Sequence, residues 1–133
     1  MVFNDLREFI EKARELGEVE TIEGADWDVE LGAISELKTA KPDSPLLMFD
    51  KIKGYPAGFR VVTNPFTSSR RTALGLDLPL EASKKDQVKA MRSKLKKGVT
   101  LMPPVEVKSG PIKENLLVGD EVDLFKFPSP RWR

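Results

Sequence analysis

Leu46-Leu47-Met48-Phe49 is a continuous apolar run, and this stretch decides the fold of the chain. A strand that is covered on both faces of its sheet needs apolar side chains at successive positions, so the run predicts a central strand. The loop at residues 41–45 precedes it, and the Gly- and Pro-containing turn at residues 54–58 follows it. Residues 59–63 have the composition of the next strand, which Asn64-Pro65 ends. Strands joined by so short a turn predict a small mixed sheet.

A helix, a strand and a second helix are expected ahead of this run. Asn4 is a candidate N-cap and Gly17 a natural stop for the first helix, whose apolar stripe has helical spacing: Leu6, Phe9, Ile10, Ala13 and Leu16. Residues 19–22 alternate as a short strand, which Gly24 ends. The second helix is expected to start at Asp26 or Asp28. Its predicted inner face contains Val29, Ala33, Ile34 and Leu37.

Two further helices and two weaker strands are predicted after the sheet. Ser68 or Ser69 can cap a short helix that runs through Leu74 to Gly75. Ser83 opens a longer helix with a capping-box-like pattern, in which Asp replaces the usual Glu. Its inward residues are expected to be Val88, Met91 and Leu95, and it ends at Gly98. Residues 105–107 alternate like an edge strand, and residues 116–118 suggest a last short strand.

The composition is that of one ordinary globular domain. The chain has 133 residues, 40% hydrophobic and 32% charged, with a formal net charge of +1. No apolar run approaches the roughly 20 residues that a bilayer crossing needs. We therefore expect a cytoplasmic, mixed α/β (α+β) single domain, with a small mixed sheet and flanking helices, and neither a membrane nor a nucleic acid as partner. The absence of Cys and His excludes disulfides, thiolate nucleophiles, imidazole bases and the usual zinc ligands.

Three carboxylates at alternate positions, Asp26, Asp28 and Glu30, suggest a divalent-metal site. A calcium loop of the EF-hand type would need Gly at its sixth position and Glu at its twelfth. Counted from Asp26, those positions hold Leu31 and Leu37, so the motif fails. Acidic residues at a helix start interact favourably with the helix dipole, and that explanation is the favoured one.

Cationic residues crowd the helix that Ser83 opens, namely Lys84, Lys85, Lys89, Arg92, Lys94, Lys96 and Lys97. Such a face could bind nucleic acid, but no aromatic residue for base stacking lies between Phe66 and Phe125. A solvated face is the favoured interpretation.

A second candidate is an anion site in residues 64–71, where Ser68, Ser69, Arg70 and Arg71 would suit a phosphate or carboxylate. Here too, the favoured alternative is that the serines cap the helix and the arginines face water or a neighbouring domain.

Two other features of the C-terminal part need an explanation. Lys113 and Glu114 could form an acid–base pair, but adjacent residues of an extended segment point to opposite faces and do not converge on one atom. The chain ends on Phe125-Lys126-Phe127-Pro128-Ser129-Pro130-Arg131-Trp132-Arg133. Such an aromatic, Pro-fixed segment either packs back on its own domain or begins a connection to something else. The connection is the favoured interpretation.

Several segments of the chain stand in a recognisable order, in register over nearly the whole length: Asp5-Leu6-Arg7-Glu8-Phe9-Ile10, Leu16-Gly17-Glu18-Val19, Trp27-Asp28-Val29-Glu30-Leu31-Gly32-Ala33-Ile34, Ser44-Pro45-Leu46-Leu47-Met48-Phe49-Asp50-Lys51-Ile52-Lys53-Gly54, Val61-Val62-Thr63-Asn64, Arg71-Thr72-Ala73-Leu74-Gly75, Gly110-Pro111-Ile112-Lys113-Glu114-Asn115, Gly119-Asp120-Glu121-Val122-Asp123-Leu124 and Phe127-Pro128-Ser129-Pro130-Arg131-Trp132. In this order they resemble the N-terminal region of UbiD-family decarboxylases. That family carries out reversible, non-oxidative decarboxylation of aromatic or α,β-unsaturated acids.

The resemblance implies a cofactor set that belongs to another domain. The family uses prenylated FMN, held with a divalent metal (manganese) and often potassium, and its catalytic Arg and two acidic residues lie in the flavin-binding domain. No position here matches a catalytic, cofactor-binding or metal-binding residue of the family, and Arg133 stands where relatives usually have His. The resemblance predicts an N-terminal α/β domain at residues 1–110, then an extended linker at residues 111–133 leading toward an absent flavin-binding domain.

The resemblance favours an architectural role, in which the chain flanks an active-site cleft and does not react by itself. Its partner would be the remainder of the decarboxylase, with the flavin-binding and oligomerisation domains, or a separate subunit that carries them. Two alternatives stay open: the small subunit of a split decarboxylase, and a binding module that uses the basic helix at residues 84–97.

Overall fold

A three-stranded sheet forms the centre of the molecule. The computed structural model describes residues 3–98, 101 and 103–132. Strands β1 (Val19–Glu23), β2 (Leu46–Asp50) and β3 (Val61–Thr63) lie in the order β1-β2-β3, with β2 parallel to β1 and antiparallel to β3. The mixed α/β class predicted from the sequence is confirmed, and the apolar run at residues 46–49 is the central strand.

Four helices accompany the sheet: α1 (Leu6–Glu15), α2 (Glu30–Thr39), α3 (Ser69–Gly75) and α4 (Lys84–Lys96). Helix α2 is the crossover between the parallel strands β1 and β2. Three single 3₁₀ turns follow α4, at Pro111–Lys113, Gly119–Glu121 and Leu124–Lys126. None of the helices in these described ranges combines the length and the apolar character that a bilayer crossing requires.

Alternate side chains of β2 enter two separate cores. Leu46 and Met48 pack with Phe9, Ile10 and Ala13 of α1 and Leu74 of α3. Leu47 and Phe49, on the opposite face, pack with Leu31 of α2, Ala25 and Ile52. Because successive residues of a strand point to opposite faces, β2 is buried on both sides, and this explains its uninterrupted apolar sequence.

The predicted caps are correct at two helices and wrong at the other two. Ser68 caps α3 and Ser83 caps α4, as predicted. Helix α1 is capped by Asp5, whose Oδ1 accepts the N–H groups of Arg7 and Glu8, and not by Asn4. Asn4 donates to Glu8 instead. Helix α2 starts after Val29, which has φ 70° and makes no side-chain cap, so neither Asp26 nor Asp28 fills that role.

Two predicted inner faces are wrong in part, since Ile34 of α2 packs on the core and Met91 of α4 is half-buried, but other members are exposed. In α2 the buried residues are Leu31, Gly32 and Ser35, while Leu37 is 73% exposed. Ser35 tolerates burial because its hydroxyl donates to the Leu31 carbonyl 2.8 Å away. In α4 only Gln87 is buried, whereas Val88 and Leu95 face solvent. Helical spacing identified an apolar stripe on α4, but the described part of the chain supplies no surface to cover it.

The weak strands of the C-terminal half do not form. Residues 105–107 and 116–118 have irregular backbone and are exposed, because no neighbouring strand is there to take their hydrogen bonds. Strand β3 is also shorter than predicted, beginning at Val61 and not at residue 59.

The last described residues pack back on the domain. The Arg131 N–H donates to the Trp27 carbonyl at 3.0 Å, and the Val29 N–H donates to the Arg131 carbonyl at 3.2 Å. Arg131 Nε lies 2.7 Å from Asp28 Oδ1. Pro128 is buried, and the ring of Phe127 meets Phe59 edge to face. Of the two alternatives for the aromatic ending, packing on its own domain describes residues 127–132. A connection onward stays a proposal.

Candidate functional site

Arg71 occupies the centre of the best-ordered polar cluster. Its side chain is fully buried on the inner face of α3, three residues before Leu74. Nη1 donates to Glu18 Oε2 at 2.7 Å, Nε donates to the Pro65 carbonyl at 3.1 Å, and Nη2 donates to Thr67 Oγ1 at 2.7 Å. Nη2 also donates to the carbonyls of Ser44 and Asn64. Burial lowers the pKa of Arg71, and the Glu18 carboxylate opposes that shift.

Glu18 reaches this cluster because of how α1 ends. Gly17 adopts φ 73°, its N–H donates to the Arg14 carbonyl and the Glu18 N–H donates to the Ala13 carbonyl, which is a Schellman motif. The chain therefore turns sharply, and Glu18 faces the start of α3. There its Oε2 also accepts the Ser68 hydroxyl at 2.6 Å.

Most donors of the anion site predicted in residues 64–71 are already engaged, although Arg70 Nε is buried without a hydrogen-bond partner. The Ser68 hydroxyl accepts the Arg71 N–H and donates to Glu18, and Arg71 is fully engaged. Arg70 is bound to Glu81, with Nη2 2.8 Å from Oε1. The adjoining open cleft of about 380 Å³ is lined by the carboxylates of Glu18, Asp43 and Glu81. An anionic ligand would meet more negative than positive charge there. The favoured alternative is correct for Ser68, which caps α3, and wrong for Arg71, which is buried and paired with Glu18 and does not face solvent.

The three alternate carboxylates are likewise committed to other partners. Asp26 lies 3.2 Å from Lys53 Nζ, Asp28 pairs with Arg131, and Glu30 accepts the Asp26 N–H at 2.8 Å. Within residues 3–98, 101 and 103–132, no group of three His, Cys, Asp or Glu side chains could hold a metal ion. The described residues thus do not fit a divalent metal. Arg71 has no donor left for a phosphate, because its guanidinium already donates to Glu18, Thr67 and three carbonyls.

The basic helix presents its cations to water. Lys89 pairs with Asp86 on the same helix, and Lys94 donates to the Leu76 carbonyl and contacts Asp77. The other cations of α4 are exposed. These positions suit a solvated face, and the nucleic-acid alternative stays a prediction that only a binding measurement can test.

Lys113 and Glu114 lie at a 3₁₀ turn, and the extended backbone predicted for them is wrong there. Both side chains are exposed to solvent. An acid–base pair needs an enclosed substrate position between its members. The described structure offers no such position at this turn.

Two further concave regions lie away from Arg71. A groove of about 860 Å³ runs between α1 and β3, with Arg7 and Glu11 on one side and Phe59 and Arg60 on the other. A smaller cleft of about 350 Å³ lies under the returning C-terminal segment and is lined by Trp27, Tyr55, Phe127 and Arg131, among others. Both are open surfaces with few converging polar groups, which is unlike an enclosed catalytic pocket.

Sequence reasoning missed the partner of Arg71 and the partner of Asp28. The spacing of Arg71 and Leu74 placed both residues on one face of α3, and this was an available signal that Arg71 is buried. No local pattern identified Glu18 or Arg131, because each pairing joins distant parts of the chain.

Comparisons with known proteins give a consistent result. The family model of the 3-octaprenyl-4-hydroxybenzoate carboxy-lyase N-terminal domain matches residues 10–91, which is more than half of the chain. The chain is similar to the pyrrole-2-carboxylic acid decarboxylase of Pseudomonas aeruginosa, with 28% identity over 134 residues that cover 95% of this chain and 26% of that protein. It therefore spans about a quarter of the length of this curated relative.

The fold is similar to solved structures of a vanillic acid decarboxylase from Sedimentibacter hydroxybenzoicus. The closed form matches with a TM-score of 0.79 and 29% identity, covering 95% of this chain and 26% of that chain. An open form with truncated ShVdcD matches with a TM-score of 0.64 and 31% identity, covering 74% of this chain and 21% of that chain.

Proposed function

The chain belongs to the 3-octaprenyl-4-hydroxybenzoate carboxy-lyase N-terminal domain family, and from this premise we propose that it is the architectural N-terminal domain of a UbiD-like, non-oxidative decarboxylase. The observation that carries the proposal is the match over 95% of the chain to a vanillic acid decarboxylase. In this proposal residues 1–110 form the α/β domain, and residues 111–133 lead toward the flavin-binding domain.

The proposed substrates are aromatic or α,β-unsaturated carboxylic acids. Two relatives, a pyrrole-2-carboxylic acid decarboxylase and a vanillic acid decarboxylase, are named for aromatic acids. Loss of carbon dioxide from such an acid leaves an electron pair on a ring carbon, and prenylated FMN would supply the electron sink when bound. We propose that prenylated FMN, manganese and potassium are held by the remainder of the decarboxylase, since the resemblance to the family assigns them to the flavin-binding domain.

The proposed contribution of this chain is to flank the active-site cleft and exclude water. The described polar groups with the best geometry, Arg71, Glu18 and Ser68, bind one another and stabilise the junction of α1, β1 and α3. A rigid unit of this kind can move as a body against a neighbouring domain and close a site. The proposal includes cytoplasmic residence, which is the ordinary case for a chain of this composition.

A second form of the proposal is that the chain is a separate small subunit. The related vanillic acid decarboxylase is a complex, ShVdcCD, with ShVdcD as a component, so a decarboxylase of this kind can comprise more than one polypeptide. The two forms differ in one observation. A separate subunit would co-purify with a flavin-bearing chain that has no equivalent of residues 10–91.

The test is a reconstitution followed by a replacement. The purified 133-residue chain is incubated with prenylated FMN and manganese, desalted, and assayed with pyrrole-2-carboxylate and vanillate. We expect no retained flavin absorbance and no release of carbon dioxide. This chain is then substituted for the matched region of the Pseudomonas aeruginosa enzyme, and decarboxylation of pyrrole-2-carboxylate should persist. Flavin retention or turnover by the isolated chain would overturn the proposal.

A further inference from the structure

The exposed apolar surface of this protein is concentrated in one segment. Of the eighteen large apolar side chains that are exposed in the described residues, twelve lie at or beyond Leu101. The densest part is residues 112–125, which we call the C-terminal strap. Its exposed members are Ile112, Leu116, Leu117, Val118, Val122, Leu124 and Phe125. Seven exposed large apolar side chains within fourteen residues are more than the scattered single residues that need no explanation, and such a concentration indicates an interaction site.

The strap has a defined local shape. The Lys113 N–H donates to the Gly110 carbonyl at 2.9 Å, and the Val122 N–H donates to the Gly119 carbonyl at 3.2 Å. The Asp123 side chain accepts the Phe125 N–H at 2.9 Å. Beyond the strap, Arg131 anchors the chain against Asp28. The apolar side chains are therefore held on a series of turns between the domain and its returning end, and less ordering is required when a partner binds them.

The charges around the strap define the chemistry of that partner. Glu114, Asp120, Glu121 and Asp123 are all exposed, and Lys113 is the one basic residue between positions 112 and 125. A complementary surface is apolar at its centre and basic at its rim. An anionic membrane does not have this chemistry, since its charge would repel the strap.

We propose that the C-terminal strap is the surface by which this domain docks on the remaining, flavin-bearing part of the decarboxylase. This inference rests on the proposed function. The length of the relative indicates which partner covers the strap. The chain spans 26% of its curated relative, so most of that protein lies outside the matched region. The family model describes an N-terminal domain, and the strap lies on the C-terminal side of its matched residues 10–91.

A second copy of this chain is the main rival occupant. Its basic helix α4, with exposed Val88 and Leu95, has the complementary character. However, a contact between the strap of one copy and α4 of another joins two different surfaces, and such contacts continue into rings or filaments. Docking on the remainder of the decarboxylase buries the strap without that consequence.

The experiment compares backbone amide exchange in two proteins by mass spectrometry. One is the isolated 133-residue chain, and the other is the hybrid in which this chain replaces the matched region of the Pseudomonas aeruginosa decarboxylase. We expect exchange in peptides covering residues 112–125 to slow about tenfold or more in the hybrid. The double variant Ile112→Ser/Phe125→Ser should abolish that protection. The matched control Leu37→Ser, which changes an equally exposed apolar residue of α2, should retain it.

The outcomes separate this inference from the proposed function. An unprotected strap in a hybrid that still decarboxylates overturns the docking surface and leaves the proposed function standing. A protected strap in an inactive hybrid supports docking and counts against the proposed function. An unprotected strap in an inactive hybrid counts against both. Concentration-dependent self-association of the isolated chain that Phe125→Ser abolishes and Leu37→Ser does not, measured by sedimentation, assigns the strap to a second copy and overturns the inference.

Discussion

Arg71 and Glu18, which are 53 residues apart in the sequence, form an ion pair with 2.7 Å between Nη1 and Oε2. The guanidinium is fully buried, and the carboxylate side chain is 18% exposed. The pair joins the end of α1 to the start of α3, beside the strand that begins at Val19. The remaining donors of Arg71 satisfy carbonyls of the loops before β2 and α3. One side chain thus fixes the relative positions of several elements.

Replacing Arg71 should destabilise the domain strongly. Arg71→Met leaves the Glu18 carboxylate and the Pro65 carbonyl without their donor. Removal of one partner from a buried ion pair typically costs about 3–5 kcal/mol. We expect a loss of this size in the free energy of unfolding, measured by urea denaturation. The control Arg70→Met removes an exposed pair with Glu81 and a longer, 3.8 Å contact with Glu18, and should cost about 1 kcal/mol or less. Equal losses in the two variants would contradict a central role for Arg71.

Gly17 should be sensitive to substitution because of its backbone, and not because of crowding. Its φ is 73°, and a Cβ added there would meet nothing within 4 Å. A non-glycine L-residue in this left-handed conformation costs roughly 1–2 kcal/mol. Gly17→Ala should therefore lower the free energy of unfolding by about 1 kcal/mol. Gly17→Asn should lower it less, since Asn tolerates this conformation. An Ala variant as stable as the wild type would show that the turn is not needed to hold Glu18.

Protonation of Asp26 in acid should lower the stability of the folded protein. Its pKa lies below the ordinary value of 3.8, mainly because the carboxylate accepts the Asp28 N–H and secondly because Lys53 lies beside it. The folded pKa is thus below the unfolded one, so the stabilisation is complete above about pH 4 and is lost as pH falls through the folded pKa. Asp26→Asn should be less stable than the wild type at pH 7, and the difference should disappear near pH 2.

The position of that titration can be measured directly. The carboxyl resonance of Asp26, followed by NMR between pH 2 and 7, should titrate below pH 3.8 in the wild type. Lys53→Met should raise this value only in part, because the Asp28 N–H remains. A Lys53→Met protein in which Asp26 titrates at its ordinary value would assign the whole effect to the ion pair.

The returning end of the chain should detach when α2 gains a side chain at Gly32. A Cβ there would lie 3.2 Å from the Arg131 carbonyl oxygen and 3.2 Å from Trp132 Cε3. Gly32→Leu should therefore displace Trp132 into water and shift its fluorescence to longer wavelength, in a Trp27→Phe background that leaves one reporter. Leu37→Ala, on the exposed side of the same helix, should leave the emission unchanged. An unshifted emission in Gly32→Leu would mean that Trp132 does not depend on this contact.

Local sequence patterns predicted the central strand of the sheet, but they could not predict ion pairs between residues that are distant in the sequence. The uninterrupted apolar run at residues 46–49 identified β2 as central because burial on both faces leaves no polar positions. The hydroxyls of Ser68 and Ser83 marked their helix starts for the same local reason. Glu18 carried no such signal, because its role depends on an arginine far along the chain. Helix α4 shows the opposite error. Helical spacing predicted a buried apolar face there, but Val88 and Leu95 are exposed in the described structure.

Helix α4 should be the least protected helix of the domain in the isolated chain. Gln87 is its one buried residue, and its cations are paired within the helix, paired with Asp77 or directed into solvent. Strand β2, by contrast, is buried on both faces and paired on both edges. Regions with few buried apolar contacts open at a small fraction of the global unfolding free energy. Amides of α4 should thus exchange about a hundredfold or more faster than those of Leu47 and Phe49, as measured by NMR.

Replacing the exposed Val88 and Leu95 by Ser should leave the exchange of β2 unchanged, whereas Leu47→Ala should accelerate it. Equal protection of α4 and β2 would show that the helix is stabilised by packing that its exposed apolar stripe does not suggest.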